Sequence, residues 1–242
     1  MCKKVLKVFD LLFDLKYCIL IWKFVKGGNM AAFVLTCLLG YLAGSVPFGL
    51  VLTRLAGLED IRKIGSGNIG ATNVLRTGRK DLALLTVVFD ACKAGLMALL
   101  FADIYNSEFL GFVAGTMAII GHNYPIWLHF KGGKGVASTL GLMVFMTPIT
   151  GWLTVGTWLA MAFLKKYSSL SALTALALAP VYAFIFNSSM SACFYLALAV
   201  LSFYRHRENI KRLLNGSETK IRLKKDKAEN VKEKSSKDVR HK

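Results

Sequence analysis

Three stretches of this sequence gather the residue types that hold an anion. The first, "IGSGNIGATN" at 64–73, has glycines at Gly65, Gly67 and Gly70, donors at Ser66, Asn68, Thr72 and Asn73, and a guanidinium following at Arg76. Glycine lets backbone N–H groups approach a phosphate closely, and the polar side chains add donors. The Gly-x-Gly-x-x-Gly spacing also occurs in dinucleotide-binding turns, but those need a preceding strand, for which this segment leaves no room. The plain alternative is a flexible connector between helices.

The second stretch, "GHNYPIWLHFKGGKGVAS" at 121–138, sets Lys131 and Lys134 among Gly132, Gly133 and Gly135, with a helix expected just after. Glycine stands where a nucleotide-binding loop would carry Ser or Thr, so this is a second anion-binding turn and not an NTPase motif. A basic anchor at a membrane surface is the bland reading. His122 and His129 are ambiguous, since a histidine at a helix end is more often a structural donor than a catalyst. In the third stretch, "YRHRENIKRLLNGSE" at 204–218, helical spacing puts His206, Asn209 and Leu213 on one face. A juxtamembrane basic helix for anionic headgroups fits that segment equally well.

The elements that position these stretches are apolar helices. Of 242 residues 55% are hydrophobic, more than a soluble core can bury, so the natural solvent is a bilayer. Spans are expected at 31–55, 82–102, 109–120, 136–146, 149–164, 170–186 and 190–203. Pro148 and the Asn187-Ser188-Ser189 run divide what would otherwise be very long helices. Ser168 and Ser169 are expected to cap the sixth. Asp90 and Lys93, three apart inside the second span, are consistent with a structural or a functional ion pair.

Charge orients the bundle. The net charge is +17, and lysine and arginine concentrate before residue 30, at 54–80, at 165–166 and from 205 onward, while 103–108, 147–148 and 187–189 contain none. The positive-inside rule therefore puts all three stretches and the C-terminus in the cytoplasm, and seven spans put the N-terminus outside. Residues 1–29 carry six lysines against two aspartates, at odds with an outside location. They are expected to be either an upstream start ahead of Met30 or an interfacial amphipathic helix. Residues 30–218 form the membrane domain, and 219–242 a disordered basic cytoplasmic tail.

Nucleic acid is excluded as a partner because the basic segments flank spans and show no aromatic interleaving or zinc spacing. The five cysteines are scattered without a Cys-x-x-Cys, which predicts no disulfide and no metal site. The N-terminal apolar stretch is interrupted by charge and lacks a cleavage signal, so no signal peptide is expected.

The stretches "GSVPFGLVLTRLAGLEDIRKIGSGNIGATNVLR", "GHNYPIWLHFKGGKGVASTLG" and "HRENIKRLLNGSE" resemble, in order and spacing, the three motifs of the bacterial acyl-phosphate:glycerol-3-phosphate acyltransferase family, PlsY. The resemblance runs from about residue 31 to 218. It implies an all-α, seven-helix, multi-pass enzyme of the bacterial plasma (inner) membrane, with active-site loops on the cytoplasmic side. The reaction it implies moves a fatty acyl group from acyl phosphate to the 1-hydroxyl of glycerol 3-phosphate, giving lysophosphatidate and phosphate in phospholipid synthesis.

By resemblance, the acyl phosphate is held by Gly65, Ser66, Gly67, Asn68, Gly70, Thr72 and Asn73. Glycerol phosphate is held by Arg76, Lys134, His206 and Asn209. Ser45, Gly132, Gly133, Gly135 and Glu218 have supporting roles. No cofactor is implied; the partners are the two substrates, membrane lipid and a soluble enzyme that produces acyl phosphate.

An acyl phosphate already has a good leaving group, so positioning and charge stabilisation matter more than a protein nucleophile. No catalytic residue is assigned with certainty. The expected proton acceptor is the substrate's own phosphate, with His206 as a donor to glycerol phosphate, and His206 as base is the alternative. The rival class is a transporter for anionic metabolites, which would place its polar site near the midplane. A lipid-binding scaffold is a weaker rival.

Overall fold

The structure, a computed structural model, describes residues 30–221, and no strand occurs among them. The helices are α1 (Met30–Gly44), α2 (Phe48–Leu55), α3 (Ala71–Val74), α4 (Lys80–Ile104) and α5 (Glu108–Asn123). They continue with α6 (Val136–Met146), α7 (Pro148–Lys165), α8 (Ser168–Phe186), α9 (Ser189–Arg205) and α10 (Arg207–Leu214). Three segments, Met30–Leu55, Lys80–Ile104 and Ser168–Phe186, are long and apolar enough to cross a membrane. The other expected spans are also helical.

The expected single span at 31–55 is broken. Proline at 47 lacks an N–H and pushes the preceding residue out of the helical region, so α1 ends and α2 restarts after Pro47. Ser45 closes α1, its N–H 2.9 Å and its hydroxyl 2.8 Å from Tyr41 O. Pro148 opens α7 at its first turn, where a missing N–H costs nothing. Ser188 and Ser191 form a reciprocal capping box at the start of α9. Ser168 and Ser169 do not cap α8: Tyr167 occupies the N-cap position, and both hydroxyls turn to other loops.

The packing suits lipid. Large apolar side chains such as Leu38, Leu84, Phe163 and Val200 face outward, whereas Thr36, Thr86, Thr154 and Ser171 are buried. Those four hydroxyls hydrogen-bond carbonyls one turn back at 2.7–2.8 Å, so each is satisfied within its own helix or the residue before it. Contact between helices comes from small residues. A Cβ on Gly44 would lie 1.9 Å from Ala118 O, and one on Gly40 2.6 Å from Ala114 O, so α1 and α5 touch along a Gly-x-x-x-Gly seam facing Ala-x-x-x-Ala.

The main core centres on Ala94, Ala98, Phe112, Ile119, Leu142 and Tyr195. A smaller cluster of Leu50, Ile61, Val74 and Leu82 underpins the first glycine-rich loop. Cys37, Cys92 and Cys193 are free thiols. The expected tail is attached at its start: Thr219 Oγ1 accepts from Arg76 at 2.8 Å, and the Ile221 N–H donates to Lys166 O at 2.7 Å. The expectations for residues 1–29 and 222–242 lie outside the described residues.

Candidate active site

The first loop leaves α2, makes a short 3-10 turn at Ile61–Lys63 and reaches Gly65 and Gly67 with φ of +55° and +67°. Only glycine adopts such angles without strain. Asn73 is buried at the loop's centre. Its Nδ2 donates to Ile61 O at 2.7 Å, and its Oδ1 accepts from the Ser66 N–H at 3.2 Å and Arg76 Nη1 at 3.3 Å. One N–H of the Asn73 amide and its Oδ1 thus shape the cradle, and its second Nδ2 hydrogen is the donor left for the expected phosphate contact. Thr72 Oγ1 lies 3.1 Å from Ser168 Oγ, fastening the loop to α8.

What remains available is backbone. The N–H groups of residues 68–72 donate to no protein acceptor among the described residues, and Asn68 Oδ1 is buried without a partner. Five consecutive N–H donors without a protein acceptor follow the left-handed Gly65 and Gly67 and are free to meet an anion. Just upstream, hydrogen bonds from Arg62 hold the Asp60 carboxyl well below the usual carboxylate range.

The second loop folds back onto the end of α5. Gly132 N–H donates to Asn123 O at 3.2 Å and Gly133 N–H to His122 O at 3.0 Å. Arg205, at the end of α9, donates to Gly133 O at 2.8 Å and Gly132 O at 3.1 Å, with its guanidinium 4.8 Å above the Tyr124 ring. Gly135, at φ +74°, starts α6. Lys134 is thereby projected toward α10, where its ammonium donates to Asn209 Oδ1.

Asn209 passes the connection on. Its Nδ2 donates to Glu218 Oε1 at 2.7 Å; the same oxygen accepts from Ser169 Oγ at 2.7 Å, and Oε2 accepts from Arg212 at 2.7 Å. Burial pushes the Glu218 carboxyl up, but the hydrogen bonds from Asn209, Ser169 and Arg212 outweigh it and hold it below its ordinary value. Burial brings Lys134 down to about 8, with Arg212, Arg205 and Arg76 adding to the effect and Glu218 opposing it.

His206 sits at the junction of α9 and α10, 3% exposed. Its Nδ1 lies 2.8 Å from Ser202 O, which can only accept, so Nδ1 carries the proton and Nε2 presents a lone pair. In this tautomer the free nitrogen is an acceptor, whereas the expected role is that of a donor to glycerol phosphate. Burial, then the Lys134 ammonium, lower its pKa to about 4. A base that weak suits orientation of a hydroxyl better than full proton abstraction.

The structure brings together the 65–73 loop, Arg76, Lys134, His206, Asn209 and Glu218 at one end of the bundle. Ser45 is apart from these direct contacts, buried in the α1–α2 bend with its hydroxyl bonded to its own helix. Arg205, Arg212, Ser168 and Ser169 also reach these loops through hydrogen bonds. Arg205 and Arg212 read as members of a basic run, and the serines as caps; nothing local distinguishes them. A cleft of about 550 Å³ lies beside Gly67 and Gly132, lined also by Arg62, Lys131, Leu128 and Phe130.

An apolar exterior, long apolar helices and a polar constellation gathered at one end define a multi-pass membrane protein. The family model described as Glycerol-3-phosphate acyltransferase matches residues 34–216, so the chain belongs to that family. Among proteins named glycerol-3-phosphate acyltransferase, one from Rhodospirillum rubrum is 55% identical over 195 residues, covering 78% of this chain and 90% of that protein. Another, from Agrobacterium fabrum, is 50% identical over 191 residues, covering 79% and 93%.

The fold is similar to the crystal structure of PlsY (YgiH), an integral membrane glycerol 3-phosphate acyltransferase, in its glycerol 3-phosphate form. The TM-score is 0.74 at 34% identity, covering 78% of this chain and 95% of that one. Its lysophosphatidic acid form gives a TM-score of 0.73 at 34% identity, with the same coverage.

Proposed function

We propose that the protein transfers a fatty acyl group from acyl phosphate to the 1-hydroxyl of glycerol 3-phosphate, releasing lysophosphatidate and inorganic phosphate. The observation that carries this reading is the pairing, at one end of the bundle, of the unengaged 68–72 N–H row with the Lys134–Asn209–Glu218 chain. Each suits one phosphorylated substrate. The N–H row takes the acyl phosphate, with Gly65, Ser66, Gly67, Asn68, Gly70 and Thr72 forming its wall. Arg76 and Lys134 take the phosphate of glycerol phosphate, and Asn209 holds Lys134 in place.

The glycerol oxygen attacks the acyl carbonyl, the new ester C–O bond forms and the bond from carbonyl carbon to the phosphate oxygen breaks. His206 Nε2 accepts from a glycerol hydroxyl and orients it. The hydroxyl proton passes to the departing phosphate, which balances the reaction without a protein nucleophile or cofactor. Fixed N–H donors stabilise the charge on that phosphate.

The bundle spans the plasma membrane seven times, with the site loops and C-terminus cytoplasmic, as the lysine and arginine asymmetry supports. A cytoplasmic site suits a water-soluble acceptor and a donor made by a soluble enzyme. The transporter reading is disfavoured by the clustering of the polar motifs at one end. The test is purified protein given acyl phosphate and glycerol 3-phosphate, scored for lysophosphatidate. No product, or equal turnover with acyl-CoA as donor, would defeat the assignment.

A further inference from the structure

Asp90 and Lys93, on one face of α4, are buried among helices and absent from the reaction described above. Lys93 Nζ lies 2.8 Å from Asp90 Oδ1 and 2.9 Å from His122 Nδ1, and donates to Val46 O at 2.9 Å; His122 Nδ1 also lies 3.4 Å from Asp90 Oδ1. The Asp90 oxygen accepts no aligned hydrogen bond, so the pair is held by charge. A lysine ammonium can only donate, so opposite it His122 Nδ1 is the acceptor, which makes that imidazole neutral with its proton on Nε2.

Both recipients of the Lys93 ammonium belong to site-bearing segments. Val46 is the middle of the bend between α1 and α2, next to Ser45. His122 is the floor of the second loop: its carbonyl takes the Gly133 N–H at 3.0 Å, and a Cβ on Gly133 would lie 2.0 Å from its Nε2. Lys134 is the next residue. Three buried polar groups are a poor way simply to glue helices, since apolar residues of similar volume would pack these positions without desolvating charge. What a charged cluster supplies is a fixed geometry.

We propose that Lys93, oriented by Asp90, is a positioning residue for the glycerol phosphate site: through His122 it sets the height of the Gly132–Gly133 turn and hence the reach of Lys134 to Asn209. The inference rests on Lys134 binding glycerol phosphate, as argued above.

The experiment compares parent, Lys93→Arg and the charge-free double variant Asp90→Leu/Lys93→Met in detergent, with unfolding temperature, kcat and both KM values measured. The double variant should unfold near the parent temperature yet raise the KM for glycerol 3-phosphate about tenfold or more, with the KM for acyl phosphate within about twofold. Lys93→Arg should recover part of that loss. A folded double variant with an unchanged KM for glycerol 3-phosphate, or with equal losses toward both substrates, overturns the proposal.

If the double variant does not fold, His122→Asn and His122→Phe decide. Asn keeps an acceptor near the Nδ1 position and should stay near the parent KM, whereas Phe keeps only shape and should show the rise. Equal values, or failure of both to fold, reduce the cluster to a fold determinant and overturn the proposal. A parent that forms no lysophosphatidate would sink the functional reading instead; calorimetric titration of glycerol 3-phosphate into the same variants still tests the positioning.

Discussion

The ammonium of Lys134 donates to the amide oxygen of Asn209, a residue 75 positions later in the chain, and Asn209 in turn donates to the Glu218 carboxylate. One hydrogen-bonded line therefore runs from the glycine-rich turn before α6, through α10, to the segment that follows it.

Lys134→Ala removes the cation proposed to hold glycerol phosphate. The KM for glycerol 3-phosphate should rise at least about tenfold, with a much smaller change in the KM for acyl phosphate. Steady-state kinetics with each substrate varied in turn checks this, and a mutant weakened only toward acyl phosphate would reverse the assignment of the two sites.

The pH profile follows from the same lysine. With its pKa lowered to about 8, Lys134 is charged below that pH and loses its proton above it. The kcat/KM for glycerol 3-phosphate, which reports the free enzyme, should therefore fall as pH rises through that value. Glu218 opposes the lowering, so Glu218→Gln should move this limb to lower pH. An unmoved limb would separate Glu218 from Lys134 electrostatically.

His206→Gln keeps an acceptor but cannot serve as a base near neutral pH. Turnover should persist at saturating glycerol 3-phosphate, with KM bearing most of the change. A loss of roughly 10² to 10⁴ in kcat, the size typical of a missing general base, would make His206 the proton acceptor instead.

Gly133→Ala puts a methyl where the Cβ would lie 2.0 Å from His122 Nε2. Such overpacking costs typically about 1–3 kcal/mol, and here it also displaces the turn carrying Lys134. Lower thermal stability should accompany a raised KM for glycerol 3-phosphate; a variant with both unchanged would show that the turn is not tightly held against His122.

Orientation is tested by cysteines placed at Ser107 and Ser235 and labelled with an impermeant reagent in intact cells. Ser107→Cys should label and Ser235→Cys should not. The opposite result would invert the bundle.

Local chemistry in the sequence determined the helical segments and their ends at Pro148 and Asn187–Ser188. Hydropathy, proline and glycine act over a few residues, and so they can be read without knowing the fold. The break at Ser45–Pro47 was also present in the local sequence, but the surrounding apolar run hid it.

Tertiary structure alone decided the partners. Asn73 reads as a donor in the sequence, and only the fold shows that Ile61 O takes one of its amide hydrogens while Ser66 and Arg76 meet its oxygen; Ser168 and Ser169 look like caps until Thr72 and Glu218 are found against them. The acceptor face of His206 depends on which of its nitrogens meets a carbonyl. A polar side chain has several ways to satisfy its donors and acceptors, and burial beside distant segments selects among them, because an unmatched group inside the protein is costly.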